Sequence, residues 1–264
     1  MENILGIKSV PAKNAEKIIN EYRFNSPVEL DLELIANAEK IIVEESDLGS
    51  ILGKITYDTD CGIIKINSRI KETGQKRFTL AHELGHYFNE KDTRTNPLYR
   101  HIDNYLSFNT GKKYEDNANL FAAELLMPRP WFNDFIQKRF INFELIKEIA
   151  EYFNVSLSAA AFRYVNIGKY PTAIIYSKDG IVKWSAFHDY FPFKFIRNGT
   201  KVHKDTPAYD FFAGNTMQTC EDLILAACWF PEDHNIETDI YLNEQNIAMP
   251  NYNAVLTLLW ERET

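Results

Sequence analysis

The chain has 264 residues, 45% hydrophobic and 14% aromatic, which suits one large or two modest packed domains and excludes a disordered chain. Its formal net charge of −8 argues against non-specific binding to nucleic acid. Cys61, Cys220 and Cys228 show no CxxC spacing; they are poor material for a disulfide framework or a thiolate metal site and fit a reducing compartment.

No apolar run has the length of a membrane span, and the opening "MENILGIKSVPAKNAEKII" lacks the parts of a signal peptide. A cytoplasmic protein with no membrane partner is therefore expected. In chain order, "PAKNAEKIINEYRF" (11–24) predicts a helix with Ala15, Ile18, Ile19 and Tyr22 on one face and Pro11 at its first position. "LDLELIANA" (30–38) predicts a second, short helix. "KIIVEE", "SILGKITY" and "CGIIKIN" are β-branched runs parted by turn formers, so a small sheet is expected from about 40 to 67. "GQKRFTLAHELGHYFNE" reads as a helix, and Lys91–Lys112, with Pro97 and Gly111, as a long loop of the kind that forms lids and cleft walls. "KKYEDNANLFAAELLM" is a second strong helix, stopped by Pro128.

Short helices are expected over 129–168, where "FELIKEIAEYFNVSLSAAAFRYVNIG" has the cadence of helix, turn, helix. Beyond Tyr170 the character changes. Residues 171–187 read as a hairpin about "SKDG", and "AVLTLLWE" (254–261) as a buried strand. "FHDYFPFKF" (187–195) reads as core plus a Pro-broken edge strand. Trp184, Trp229 and Trp260 are expected in the core, and Cys220 and Cys228 as buried thiols. His188, His203 and His234 lack ligand spacing. The expected domains are 1–130, 131–170 and 171–264.

"RFTLAHELGHYFNE" (77–90) carries the chemistry. Residues four apart on a helix project about 40° apart, so His82 and His86 can take two corners of a zinc tetrahedron. Glu83 is rotated by about 100°, off the ligand face but within reach of a metal-bound water. Zinc lowers the pKa of such a water to about 7, and a glutamate can take its proton and pass it to the leaving amine. Three fixed letters occur by accident in roughly one chain in a hundred of this length. Context strengthens them: Leu80, Leu84, Tyr87 and Phe88 give the helix an apolar side. Gly85, costing about 1 kcal/mol mid-helix, suggests that another segment passes close by.

Glu115 and Glu124 compete to be the third ligand. Nine positions apart on one helix is about half a turn, so both cannot face one metal. Glu115 is favoured because Asn119, one turn on, could orient an imidazole through its other ring nitrogen. Glu124 lies in the apolar stretch "LFAAELLMP", and His101 in the long loop is a weaker candidate. Two histidines, a glutamate and an open position make a catalytic site holding one zinc per chain. For the oxyanion, Tyr87, Arg77, Tyr99, Arg100, His101 and Tyr114 lie near in sequence, and nothing chooses among them.

"RFTLAHELGHY", followed some thirty residues on by "EDNANLFAAELLMP", resembles the ImmA/IrrE family of bacterial metallopeptidases. The first block matches the family's extended motif beyond HExxH; the second matches its glutamate-helix block. The resemblance covers about residues 30 to 170. It implies an α+β, zincin-like core with a gluzincin-like site: His82, His86 and Glu115 as ligands and Glu83 as general base. It further implies a peptidase that inactivates a helix-turn-helix repressor, often encoded beside it on a mobile element or in a stress regulon. A helix-turn-helix-like extension and a C-terminal α/β, GAF-like domain open to a small-molecule or protein signal complete the layout.

Two rivals remain at this level. One is a DNA-binding regulator using 141–168, but Arg163 and Asn166 are all that its last helix offers, and residues 141–169 balance three acids against three bases. No direct nucleic-acid partner is expected. The other is a regulatory or sensor protein whose zinc site is not catalytic.

Overall fold

The computed structural model describes residues 8–57, 61–90, 107–218, 220–233 and 240–261. The chain divides into two compact units, Met1–Phe135 with Ala150–Ser156, and Ile136–Ile149 with Leu157–Thr264.

The first unit opens with α1 (Val10–Glu21), which starts one residue before Pro11, within the first turn where proline is tolerated, and buries Pro11, Ala12, Ala15 and Ile18. Helix α2 (Leu32–Ala38) is capped by Asp31, whose side chain accepts the Leu34 N–H at 3.0 Å. Strands β1 (Ile41–Ser46), β2 (Gly53–Tyr57) and β3 (Gly62–Asn67) form a sheet in the order β1-β3-β2. β3 runs parallel to β1 and antiparallel to β2, so β2 is an edge. Alternation sets the faces: Ile41, Ile64 and Ile66 are buried, while their neighbours Ile42 and Ile63 are exposed.

Helix α3 (Thr73–Glu90) packs on β2 and β3 and along α4 (Ser107–Leu126), which also receives α1. At Gly85 the two long helices close up: a Cβ there would sit 3.0 Å from the Ala118 carbonyl oxygen and 3.1 Å from the Phe121 ring. Helix α4 begins five residues earlier than the sequence suggests. Gly111 and the polar letters around it cost helix propensity, about 1 kcal/mol for the glycine, which a long packed helix can carry. The rest of the predicted loop, 91–106, lies outside the described residues. Pro128 ends α4, and α5 (Arg129–Phe135) follows, with buried Phe132 stacked on Phe153.

Helices α6 (Phe143–Tyr152) and α7 (Leu157–Ile167) occupy the stretch read as helix, turn, helix, and Asn154 between them takes a left-handed φ of 49°. The boundary between the two units runs through α6.

The second unit holds β4 (Thr172–Lys178), β5 (Ile181–Phe187), α8 (Pro207–Phe212), β6 (Asp222–Leu225), β7 (Tyr241–Met249) and β8 (Ala254–Glu261). The sheet order is β5-β4-β8-β7-β6. Asp179 (φ 55°) and Gly180 (φ 75°) make the two-residue hairpin turn between β4 and β5. Every pairing is antiparallel, so an α+β build replaces the α/β one expected for 171–264. On one face Ala173, Ile175, Leu242, Val255 and Leu259 lie in one core with Phe191, Phe193, Trp229 and Phe230. Fully buried Glu244 on β7 accepts from Trp229 Nε1 (2.6 Å), Asn246 Nδ2 (2.6 Å) and the Ala208 N–H (3.3 Å), while burial pushes its carboxyl above the usual range.

Several details depart from the sequence reading. The segment after Phe187 is irregular rather than an edge strand, although Phe191 and Phe193 are core. Trp184 is half-buried, stacked on Tyr176. Cys220 is exposed and Cys228 half-buried, because both flank the short edge strand β6. His188 is buried and accepts the Tyr190 N–H; His203 is exposed, and His234 lies outside the described residues. Among the described residues, no helix is long and apolar enough to cross a membrane.

Candidate metal centre

Helical spacing on α3 turns His82 and His86 to one side, their rings 4.7 Å apart between centroids and nearly perpendicular at 83°. Their Nε2 atoms are 3.0 Å apart. From α4, Glu115 brings one carboxylate oxygen to 3.2 Å from His82 Nε2 and the other to 3.5 Å from His86 Nε2. One ligand atom from each of the three residues lies within 4.8 Å of the others. Both imidazoles are mostly covered, whereas the Glu115 side chain is 61% exposed, so the cluster is open on the glutamate's side.

Asn119, one turn beyond Glu115, places Oδ1 2.9 Å from His82 Nδ1. A carbonyl oxygen only accepts, so Nδ1 carries the proton and the Nε2 lone pair faces the cluster. His86 is held below the usual histidine range by burial first and His82 second, against the pull of Glu115. Two imidazoles and a carboxylate are a donor set that suits zinc, and these residues fit one ion.

Several contacts hold this geometry. Gly85 admits α4 to the histidine helix. Asn14 of α1 donates to the Phe88 carbonyl and to Asn89 Oδ1, and Asn89 donates to the Asn117 carbonyl, tying α1, α3 and α4 together. A Cβ on Gly74 would fall 2.5 Å from the Val155 carbonyl carbon, so the first turn of α3 lies directly on that backbone.

Glu83 lies outside the three-donor cluster. It is 7% exposed, accepts a hydrogen bond from the Ile55 backbone N–H and lies against Gly53. Burial, reinforced by the charge of Glu115 and opposed by the Ile55 N–H, pushes its carboxyl up to about 7. A group poised there can both take and give a proton near neutrality.

Glu124 does not join the cluster; it is buried, 4.0 Å from Arg129 Nε. His101, Tyr99 and Arg100 lie outside the described residues. Tyr87 donates its hydroxyl to Glu39 at 2.9 Å, and Arg77 donates to the Leu30 carbonyl at 2.8 Å. Tyr114 stacks on His86 with centroids 6.2 Å apart and is 42% exposed, the one of these side chains shown beside the cluster. Arg163 is buried and Asn166 bonds to the Phe162 carbonyl of its own helix. The sequence reading missed Gly53 and Ile55. Its one signal was a glycine inside a β-branched run, which marks a close backbone approach.

The description of a peptidase family, Peptidase M78, the IrrE N-terminal-like domain, matches residues 36–164. Metallopeptidase ImmA of Bacillus subtilis (strain 168) is 30% identical over 146 residues, 53% of this chain and 78% of that protein. An uncharacterized immunity region protein 2 of Bacillus phage phi105 is 30% identical over 113 residues, 43% of this chain and 65% of that protein. With its mixed helices and small sheet and its histidine–glutamate cluster, the chain belongs to the ImmA/IrrE family of metallopeptidases. A solved structure described as a Mycobacterium tuberculosis transcriptional regulator shares the fold, with a TM-score of 0.56 and 16% identity over 95% of this chain and 76% of that one.

Proposed function

We propose that this protein is a zinc-dependent endopeptidase that cleaves one specific protein in the cytoplasm, a helix-turn-helix repressor. The observation that carries the reading is the convergence of His82 and His86 on α3 with Glu115 on α4, and Glu83 stands next to His82 in the chain. In this reading those three residues hold one zinc per chain in a zincin-like core, and Asn119 fixes the His82 ring. Zinc, when bound, supplies a Lewis acid that lowers the pKa of a coordinated water to about 7 and polarises the scissile carbonyl. Glu83 accepts the proton at its carboxylate and delivers it to the leaving amine. The apolar packing of α3 keeps Glu83 away from bulk water, which suits a base that must release its proton again.

The layout assigned to this function is a peptidase core over 1–130, a helical extension over 131–170, and a domain over 171–264 that recognises the substrate or a signal. Arg163, buried on α7, supports a protein partner over direct DNA contact for that extension. The immunity region named for the phage relative supports a repressor-linked substrate.

The test is elemental analysis of wild type, His82→Ala and Glu83→Gln, each purified without added metal, followed by incubation with helix-turn-helix repressors from the same genome. The expected result is about one zinc in wild type and Glu83→Gln, much less in His82→Ala, and cleavage by wild type alone. A Glu83→Gln variant that cleaves as wild type does would refute the mechanism.

A further inference from the structure

Strand β2 meets Glu83 at two positions. The Leu52 carbonyl accepts the Asn67 N–H at 2.8 Å, so residues 52, 54 and 56 bond toward β3 while 53, 55 and 57 turn their backbone groups outward. An outward N–H on an edge strand normally goes to water or to another chain. At Ile55 it goes to the carboxylate of Glu83. Two residues earlier, a Cβ built on Gly53 would lie 2.8 Å from Glu83 Oε1, 3.2 Å from its Cγ and 2.5 Å from Thr79 Cγ2. The backbone at Gly53 is not left-handed, so space rather than conformation calls for glycine there.

We infer that the β2 backbone is the positioning element for Glu83: Gly53 leaves the room its carboxyl occupies, and the Ile55 N–H sets the direction in which that carboxyl points. The catalytic part of this inference rests on Glu83 acting as the base proposed above; the hydrogen bond and the gap do not. Gly53 and Ile55 are positioning residues that act through Glu83. Thr79, one turn before Glu83 on α3, lines the same gap, its hydroxyl bonded to the Gln75 carbonyl one turn further back at 2.9 Å.

Two measurements test it. In zinc-free protein, Glu83→Ala removes the acceptor from Ile55. Its amide should then exchange with solvent about tenfold faster or more, while the Thr56 amide, bonded toward β3, keeps its rate. Gly53→Ala would also strike the Thr79 methyl, so the second variant is Gly53→Ala/Thr79→Ser, which removes that methyl and keeps the hydroxyl, with Thr79→Ser as control. The probe is acetohydroxamic acid, a metal chelator whose acidic proton is taken by a neighbouring carboxylate. In zinc-loaded protein, the double substitution should leave zinc affinity within about twofold and weaken acetohydroxamate at least about tenfold, and it should cause no further loss when Glu83→Gln is already present.

Unchanged exchange at Ile55 in Glu83→Ala overturns the inference. So does a double substitution that leaves acetohydroxamate binding intact, or one that weakens it equally with and without Glu83→Gln. If wild type takes up no zinc, the reading of the metal centre fails, and the Ile55 exchange rate still decides the positioning on its own.

Discussion

Asn119 accepts the Nδ1 proton of His82 across 2.9 Å, and by doing so it aims Nε2 of that ring at Glu115, 3.2 Å away. The amide and the carboxylate sit one turn apart on α4, so a single helix face both orients the imidazole and supplies its neighbour. Asn119→Leu should therefore weaken zinc binding by about 10- to 100-fold, while Asn119→Asp, which keeps an acceptor at the same reach, should lose much less. Competition against a chromophoric chelator reads both.

Glu115 and Glu124 belong to one helix and to different surroundings, the first open to solvent beside the histidines, the second buried near Arg129. Glu115→Gln is expected to lower zinc affinity by at least about tenfold, and Glu124→Gln to leave it unchanged while lowering stability. Zinc titration with thermal melts separates the two effects.

Glu83 links folding to pH. Its folded pKa of about 7 lies above the ordinary value of 4.5, so in zinc-free protein the native state holds a proton that the unfolded chain has released. The contribution is fully present below pH 4.5 and is lost as pH rises through 7. Glu83→Gln mimics the protonated group and can still accept from Ile55. It should match wild type in denaturant midpoint near pH 4.5 and exceed it near pH 8.5, by about 1–3 kcal/mol.

At Gly85 the backbone of α4 comes closely against α3. Alanine would improve helix propensity by about 1 kcal/mol, yet its methyl would meet the Ala118 backbone and the Phe121 ring at 3.0–3.1 Å. Overpacking should win, for a net loss of about 1–2 kcal/mol. Because the same contact sets the distance from the histidines to Glu115, zinc affinity should fall with it. A stabilised Gly85→Ala protein with full zinc affinity would show that the helices do not need this approach.

The histidine pair was legible because helical periodicity is a local rule, and the small sheet because β-branched runs alternate at period two. The choice of Glu115 over Glu124 followed from half a turn of helix and the position of Asn119. What stayed hidden was set by contacts distant in sequence. The start of α4 at Ser107 runs against the letters around Gly111, and it belongs to a helix that packs as a whole along α3. Gly53 reveals its purpose only when β2 is laid beside α3. Cys220 and Cys228 were misjudged because their exposure depends on β6 being a short edge of the sheet, a place in the topology that no local pattern encodes.

His86 and Glu115 stand on two helices whose donors are separated by about thirty residues of chain. An ion held between them would close that loop as a removable cross-link. Above the dissociation constant, each tenfold rise in free zinc would then add about 1.4 kcal/mol to folding. Metal supply would govern how many molecules survive proteolysis as well as how many are active, making the abundance of the protein itself a record of the zinc it has met.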